Sequence, residues 1–244
     1  MKVMVTGDQG YLGSEFVKRY GKDYSIVGFD LKEGDDLLDF NRLNQKMAGC
    51  SQVVHLAAIP GPTVGKSFEE FFDNNVRATL NVAKAAVSNK LNRIVYASST
   101  TIYGIEKGIP FQTPIQEGQK FVSQYIPASK LSCREVDLSY HASKVMAEQI
   151  MAWYGLNKKT QTVALRFGPI NKVFLGTSVS INNATQAIKL ALDCSRELWY
   201  EPFSIVDELP HIDISKARKI LGYRPEKPRY SPEHIHSTFD QRTH

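Results

Sequence analysis

The chain alternates short apolar runs with longer amphipathic stretches. Lys2–Thr6 (KVMVT) predicts a buried strand, the turn TGDQGYLG follows directly, and Tyr11–Tyr20 then has the spacing of a helix. Ser25–Asp30 (SIVGFD) predicts a second strand ending on an acid. Asn41–Ala48 predicts a short helix, Val53–Ala58 (VVHLAA) a buried strand, Ser67–Ser88 a long helix, and Arg93–Ser98 (RIVYAS) the next strand. Gly104–Asp137 carries Gly108, Pro110, Pro114, Gly118 and Pro127 and reads as a long loop of the kind used for lids and binding segments. Helix resumes at Ser139–Trp153, strand at Gln161–Arg166 and helix at Ile181–Leu192. A short helix at Asp213–Leu221 is closed by Gly222, with Pro225 soon after. From Pro228 the chain is polar and proline-containing, and its last residues are expected to fray.

Strands that are apolar along their length, alternating with helices, predict an α/β fold with a doubly wound parallel sheet covered on both faces. Two units are expected. Residues 1–166 form a dinucleotide-binding domain, and 167–244 form a small substrate-binding lobe and tail interleaved with it.

Composition adds exclusions. The 244 residues suit one α/β domain with at most a small lobe, and 42% hydrophobic and 23% charged residues imply an ordinary buried core. The net charge of +5 is scattered rather than run together, which argues against a nucleic-acid surface. No stretch has the length of a membrane span, and MKVMVTGDQG reaches glycine before a signal-peptide core could form, so a cytoplasmic location is expected. Cys50, Cys133 and Cys194 are odd in number and include no CxxC pair, which argues against a disulfide framework and a zinc site. The six histidines have no metal-ligand spacing.

The candidate chemistry begins at Gly7, Gly10 and Gly13, spaced GxxGxxG between a strand and a helix. Such glycines let backbone approach a pyrophosphate, and a helix N-terminus supplies free N–H groups and a positive dipole end. Asp30 stands about twenty residues on, where a carboxylate accepts hydrogen bonds from adenosine ribose hydroxyls and repels a 2′-phosphate. NAD is therefore expected over NADP, with Lys32 close enough to soften that preference.

These motifs resemble the extended short-chain dehydrogenase/reductase family, the NAD-dependent epimerase/dehydratase group. TGDQGYLG, including Tyr11 and Leu12, is similar to its TGxxGxxG turn. Asp36 and Leu37 resemble the pair that contacts adenine. Leu56, Ala57 and Ala58 resemble the strand end lining the cofactor, and Asn75 resembles the asparagine of NxxGTxN, with alanine here in place of the glycine. Counting back from Tyr103-Gly104 in ASSTTIYG places the family's catalytic hydroxyl on Ser99, and SYHASK supplies Tyr140 and Lys144. LGYRP resembles the family's closing signature. The resemblance further implies a homodimer through Ser67–Ser88 and Ser139–Trp153.

The Tyr-x-x-x-Lys spacing has its own chemical logic. Residues four apart share a helix face, and a lysine beneath a tyrosine lowers the phenol's pKa from about 10. The phenolate can then take a proton from an alcohol as hydride leaves the carbon. Ser99 would orient that oxygen, and Lys144 would also hold the nicotinamide ribose.

The reaction is narrowed less. Sugar 4,6-dehydratases of the family need an acid pair where this chain has Thr100-Thr101, so that reaction is disfavoured. LRFGPI lacks the asparagine of the family's RxxNxxGP, which weakens the case for a nucleotide-linked sugar. Three readings stand: hydride transfer at a sugar or nucleotide-sugar hydroxyl as an epimerase or oxidoreductase, oxidation of a free uronate or aldose, and a non-catalytic dinucleotide sensor. Retention of Tyr140 and Lys144 argues against the last. Arg166 is balanced between meeting an anionic substrate group and a structural role. His55 is expected to be a satisfied core histidine, and His141 to point away from the Tyr140 face.

Overall fold

The computed structural model describes residues 1–104, 114–119, 135–171, 177–207 and 211–227. Most of the predicted loop 104–137 and the whole tail from 228 lie outside them. Six strands form one parallel sheet: β1 (Lys2–Thr6), β2 (Ser25–Phe29), β3 (Gln52–His55), β4 (Arg93–Ser99), β5 (Gln161–Phe167) and β6 (Glu201–Ile205). Their order is β2-β1-β3-β4-β5-β6. The direction of winding reverses between β1 and β3, so the crevice at their carboxyl ends is where an open α/β sheet binds ligands.

Both sheet faces are covered. Val3, Val5, Val54, Val95, Val163 and Leu165 join a core with residues of α1 (Tyr11–Tyr20) and α6 (Ile181–Asp193). Met4, Val53, Ile94, Tyr96 and Ala164 join a second core with α2 (Phe40–Met47), α4 (Ala78–Ser88) and α5 (Glu135–Leu156). This double burial explains why these strands read as continuous apolar runs.

Three features depart from the expectations. First, β3 stops at His55. Beyond it the amides of Leu56 and Ala57 both donate to Thr6 O at 3.1 Å, drawing the segment alongside β1. Second, the helix after Ser67 is not uniform. Ser67 and Glu70 form a capping box on α3 (Phe68–Phe71), and Phe72–Arg77 then makes a π-helical turn before α4. Third, β6 has no counterpart in the sequence reading. Pro202 argues against a strand, but β6 is an edge strand paired only with β5, where a missing N–H is tolerated.

The expected boundary at 166/167 falls inside β5. The described residues beyond it supply β6, α6 and α7 (Ser215–Leu221), which pack on the same sheet. Gly222 closes α7 in the left-handed region (φ 76°), and the Tyr223 hydroxyl, fully buried, donates to Val206 O at 3.1 Å. No helix among the described residues is long and apolar enough to cross a membrane.

Candidate active site

The chain must turn from β1 into α1 within four residues. Gly7 makes this possible at φ 73°, its amide donating to Phe29 O at 2.9 Å. A Cβ there would lie 2.8 Å from the Ala57 nitrogen and 2.9 Å from its Cα. Gly10 caps α1, and no side chain caps with it, so first-turn amides are left for an anion to satisfy. Gly13 is buried one turn on and Leu12 packs partly against the core. Tyr11 stands exposed at the rim, its hydroxyl accepting from Asn171 Nδ2 at 2.6 Å. Gly7→Ala would impose a strained φ and a backbone clash together. We expect it to weaken NAD binding about 10- to 100-fold in a fluorescence titration; an unchanged affinity would contradict this geometry.

Asp30 lies just past β2 with 9% of its surface exposed. Its Oδ2 accepts from the Gln9 amide at 3.1 Å and its Oδ1 from the Lys32 amide at 2.9 Å, which fixes the carboxylate beside the glycine turn. Lys32 Nζ donates to Gln9 O at 2.9 Å and so stays on the turn itself. Asp36 is exposed, with its Oδ1 accepting from Leu38 N at 2.8 Å, while Leu37 is buried. Ala58 follows Ala57, partly buried, on the other side of the turn.

A chain of hydrogen bonds runs from β1 to the helix bearing Tyr140. Thr6 Oγ1 meets His55 Nδ1 at 2.8 Å, and His55 Nε2 meets Thr79 Oγ1 at 2.9 Å. Thr79 donates to Asn75 O at 2.6 Å. Asn75 Nδ2 donates to Ser143 Oγ at 2.9 Å, and Ser143 donates to Tyr140 O at 2.8 Å. Burial, with the Lys144 charge behind it, pushes His55 down to about 3, so this core histidine is neutral and serves as a link. Asn75 also grips Ile59, accepting from its amide at 2.7 Å and donating to its carbonyl at 3.3 Å. Asn75, which the resemblance places at the cofactor, thus braces the segment that follows β3. The π turn that carries it is a frequent device at functional sites.

Ser99 ends β4, and its Oγ accepts from Thr101 N at 3.2 Å. Tyr140 and Lys144 lie one turn apart on α5. Lys144 Nζ donates to Ala97 O at 3.0 Å and sits 5.3 Å from the Tyr96 ring centre. His141 Nδ1 donates to Thr101 O at 2.9 Å. These two bonds pin α5 to the chain on either side of Ser99. The half-buried Tyr140 ring is held edge-on by Phe71, centres 6.2 Å apart. Burial pushes the Lys144 ammonium down to about 8, partly offset by Glu148, so at neutral pH it is mostly charged. The carboxyl ends of the strands and α5 thus carry the glycine turn, the Asp30 carboxylate and the Ser99, Tyr140 and Lys144 side chains.

Residues 3–170 match the NAD dependent epimerase/dehydratase family. The chain belongs to that family. Among its relatives, the UDP-glucose 4-epimerase of Rhizobium meliloti (strain 1021) is 28% identical over 214 residues, which are 79% of this chain and 60% of that protein. The L-arabinose 1-dehydrogenase (NAD(P)(+)) of Haloferax volcanii is 25% identical over 92% of this chain and 96% of its own length. The chain therefore spans about three-fifths of the epimerase but nearly all of the dehydrogenase. The fold matches the NAD complex of UDP-glucuronic acid 4-epimerase from Bacillus cereus, with a TM-score of 0.74 at 22% identity, covering 93% of this chain and 94% of that one.

This family member also carries a buried ion pair that the sequence left undecided. Arg166, 2% exposed, pairs with the fully buried Glu148, NH2 to Oε1 at 2.5 Å, and donates to the Tyr103 hydroxyl at 2.8 Å and to Glu117 O at 2.9 Å. Ser98 and Tyr200 also donate to Glu148, the latter at 2.9 Å. Burial alone would lower the Arg166 guanidinium, but Glu148 and Tyr103 more than offset it. Arg166 is therefore structural. Glu148 lies one turn beyond Lys144, as Lys144 lies one turn beyond Tyr140, and that spacing of four was the signal available in the sequence. Among the described residues, no group of three or more His, Cys, Asp or Glu side chains is placed to hold a metal ion.

Proposed function

We propose that the protein transfers hydride between NAD and a hydroxyl-bearing carbon of a sugar or sugar derivative. The observation that carries this is the placement of the glycine turn, Asp30, Ser99, Tyr140 and Lys144 at the carboxyl end of the sheet. The residues fit the cofactor: the uncapped start of α1 suits a pyrophosphate, and the Asp30 carboxylate suits a ribose diol. Bound NAD would supply the hydride acceptor. Tyr140 takes the hydroxyl proton as the C–H bond breaks, and Lys144, charged below about pH 8, stabilises the phenolate. Ser99 orients the reacting oxygen. Thr100 and Thr101 are buried, which supports leaving 4,6-dehydration aside.

A second reading, oxidation of a free aldose or uronate, is favoured by length. The chain spans nearly the whole of the arabinose dehydrogenase but only part of the epimerase. Incubation with NAD+ and a panel of UDP-sugars, aldoses and uronates, followed by sugar NMR, separates the two. An epimer without net NADH supports the first, and an oxidised sugar with NADH supports the second. If no sugar changes, neither stands.

A homodimer belongs to the same reading, supported by apolar surface left on the two helices implied to pair. Leu80 is exposed on α4, and Leu138, Trp153 and Leu156 on α5. A cytoplasmic location rests on the sequence argument alone.

A further inference from the structure

We propose that Asp8, inside the glycine turn, is a second carboxylate at the adenosine ribose site and sets, with Asp30, the preference for NAD over NADP. This rests on the reading of Asp30 as the ribose partner. Asp8 folds back from the turn onto β2. A Cβ built on Gly28 would lie 2.4 Å from Asp8 Oδ2 and 3.0 Å from Oδ1, so β2 has a glycine where any side chain would displace the carboxylate. Glycine inside a strand commonly marks such a close approach. Gly28 and Asp30 are two residues apart in extended chain, so their side-chain directions share one face of the sheet. Asp8 therefore lies over the face from which Asp30 projects.

The Asp8 carboxylate is incompletely satisfied. Its Oδ1 is buried without a hydrogen-bond partner among the described residues. Burial raises its pKa and the Asp30 charge raises it further, while the amides of Asp8 and Phe29 and the charge of Lys46 pull the other way. The nearby lysines have other partners: Lys32 binds Gln9 O, and Lys46 binds Asp35 and Gly28 O. A ribose hydroxyl brings a donor that the Asp30 carboxylate can accept, and the Asp8 charge adds to the negative field there. A 2′-phosphate brings a dianion to two like charges, while Lys32 and Lys46, the lysines beside the turn, are held by Gln9 O and by Asp35 and Gly28 O.

The test uses NAD+ and NADP+ titrated into the purified full chain by calorimetry, for wild type, Asp8→Asn, Asp30→Asn and the double variant. Thermal melts confirm folding, and Asp8→Gly is a second route should Asn disturb the turn. Asp8→Asn is expected to raise the NADP+/NAD+ affinity ratio about tenfold, and the double variant to raise it further. A ratio that moves with Asp30→Asn but not with Asp8→Asn or Asp8→Gly overturns the Asp8 proposal and leaves the Asp30 reading intact. A ratio unmoved by either change removes both. NADP+ binding still undetectable in the double variant also counts against Asp8.

Discussion

Replacing Tyr140 by phenylalanine should lower turnover about a thousandfold on whichever sugar proves to be the substrate. The change removes one oxygen and keeps the ring that packs edge-on against Phe71, so the fold is left intact. What is lost is the proposed proton acceptor, and positioned acid–base groups contribute about 10²- to 10⁴-fold. The loss should appear in kcat, with a melting temperature close to wild type. KM should move less than kcat, since the phenol acts in the chemical step. Turnover within about threefold of wild type would remove Tyr140 from the chemistry.

The largest stability effect should come from the ion pair beneath that site. Glu148→Gln leaves the Arg166 guanidinium buried and without its counter-charge. Breaking one side of a buried pair costs about 3–5 kcal/mol, because the remaining charge stays desolvated. In a domain of this size that corresponds to a fall of roughly 6–20 °C in Tm. Arg166→Met should cost a similar amount by stranding the carboxylate that also binds Ser98 and Tyr200. The double variant Glu148→Leu/Arg166→Met should recover much of the loss, since apolar replacement of a whole buried pair is often near neutral. Calorimetric melts of the three variants test this. A Glu148→Gln protein as stable as wild type would show that the pair is not a structural anchor.

What the sequence made legible follows from what local pattern encodes. β1, α1 and the turn between them stand where predicted, because a strand, a glycine turn and a helix each leave a short-range signature. Tyr140 and Lys144 stood out as a Tyr-x-x-x-Lys pair, and Ser99 by counting back from Tyr103-Gly104, both through the family resemblance. β6 was hidden because Pro202 breaks the strand pattern, and only the sheet reveals that it occupies an edge. The π turn around Asn75 keeps a helix-like apolar pattern, so nothing in the sequence separated it from α4. Arg166 stayed ambiguous because its partner, Glu148, is 18 residues away on another element. Asp8 lay in plain view within the glycine turn, but its direction depends on Gly28 of β2, a contact that no local pattern contains.

The proposed activity of the carboxyl end of this sheet is hydride transfer between NAD and a sugar. The most direct measurement is NADH absorbance after NAD-saturated protein is mixed with UDP-glucose, a free uronate or L-arabinose. A rise is expected with at least one sugar, transient for an epimerase and sustained for a dehydrogenase, and no rise with the Tyr140→Phe protein. Saturating NAD binding with no absorbance change for any sugar, or an equal rise in the Tyr140→Phe protein, would contradict it.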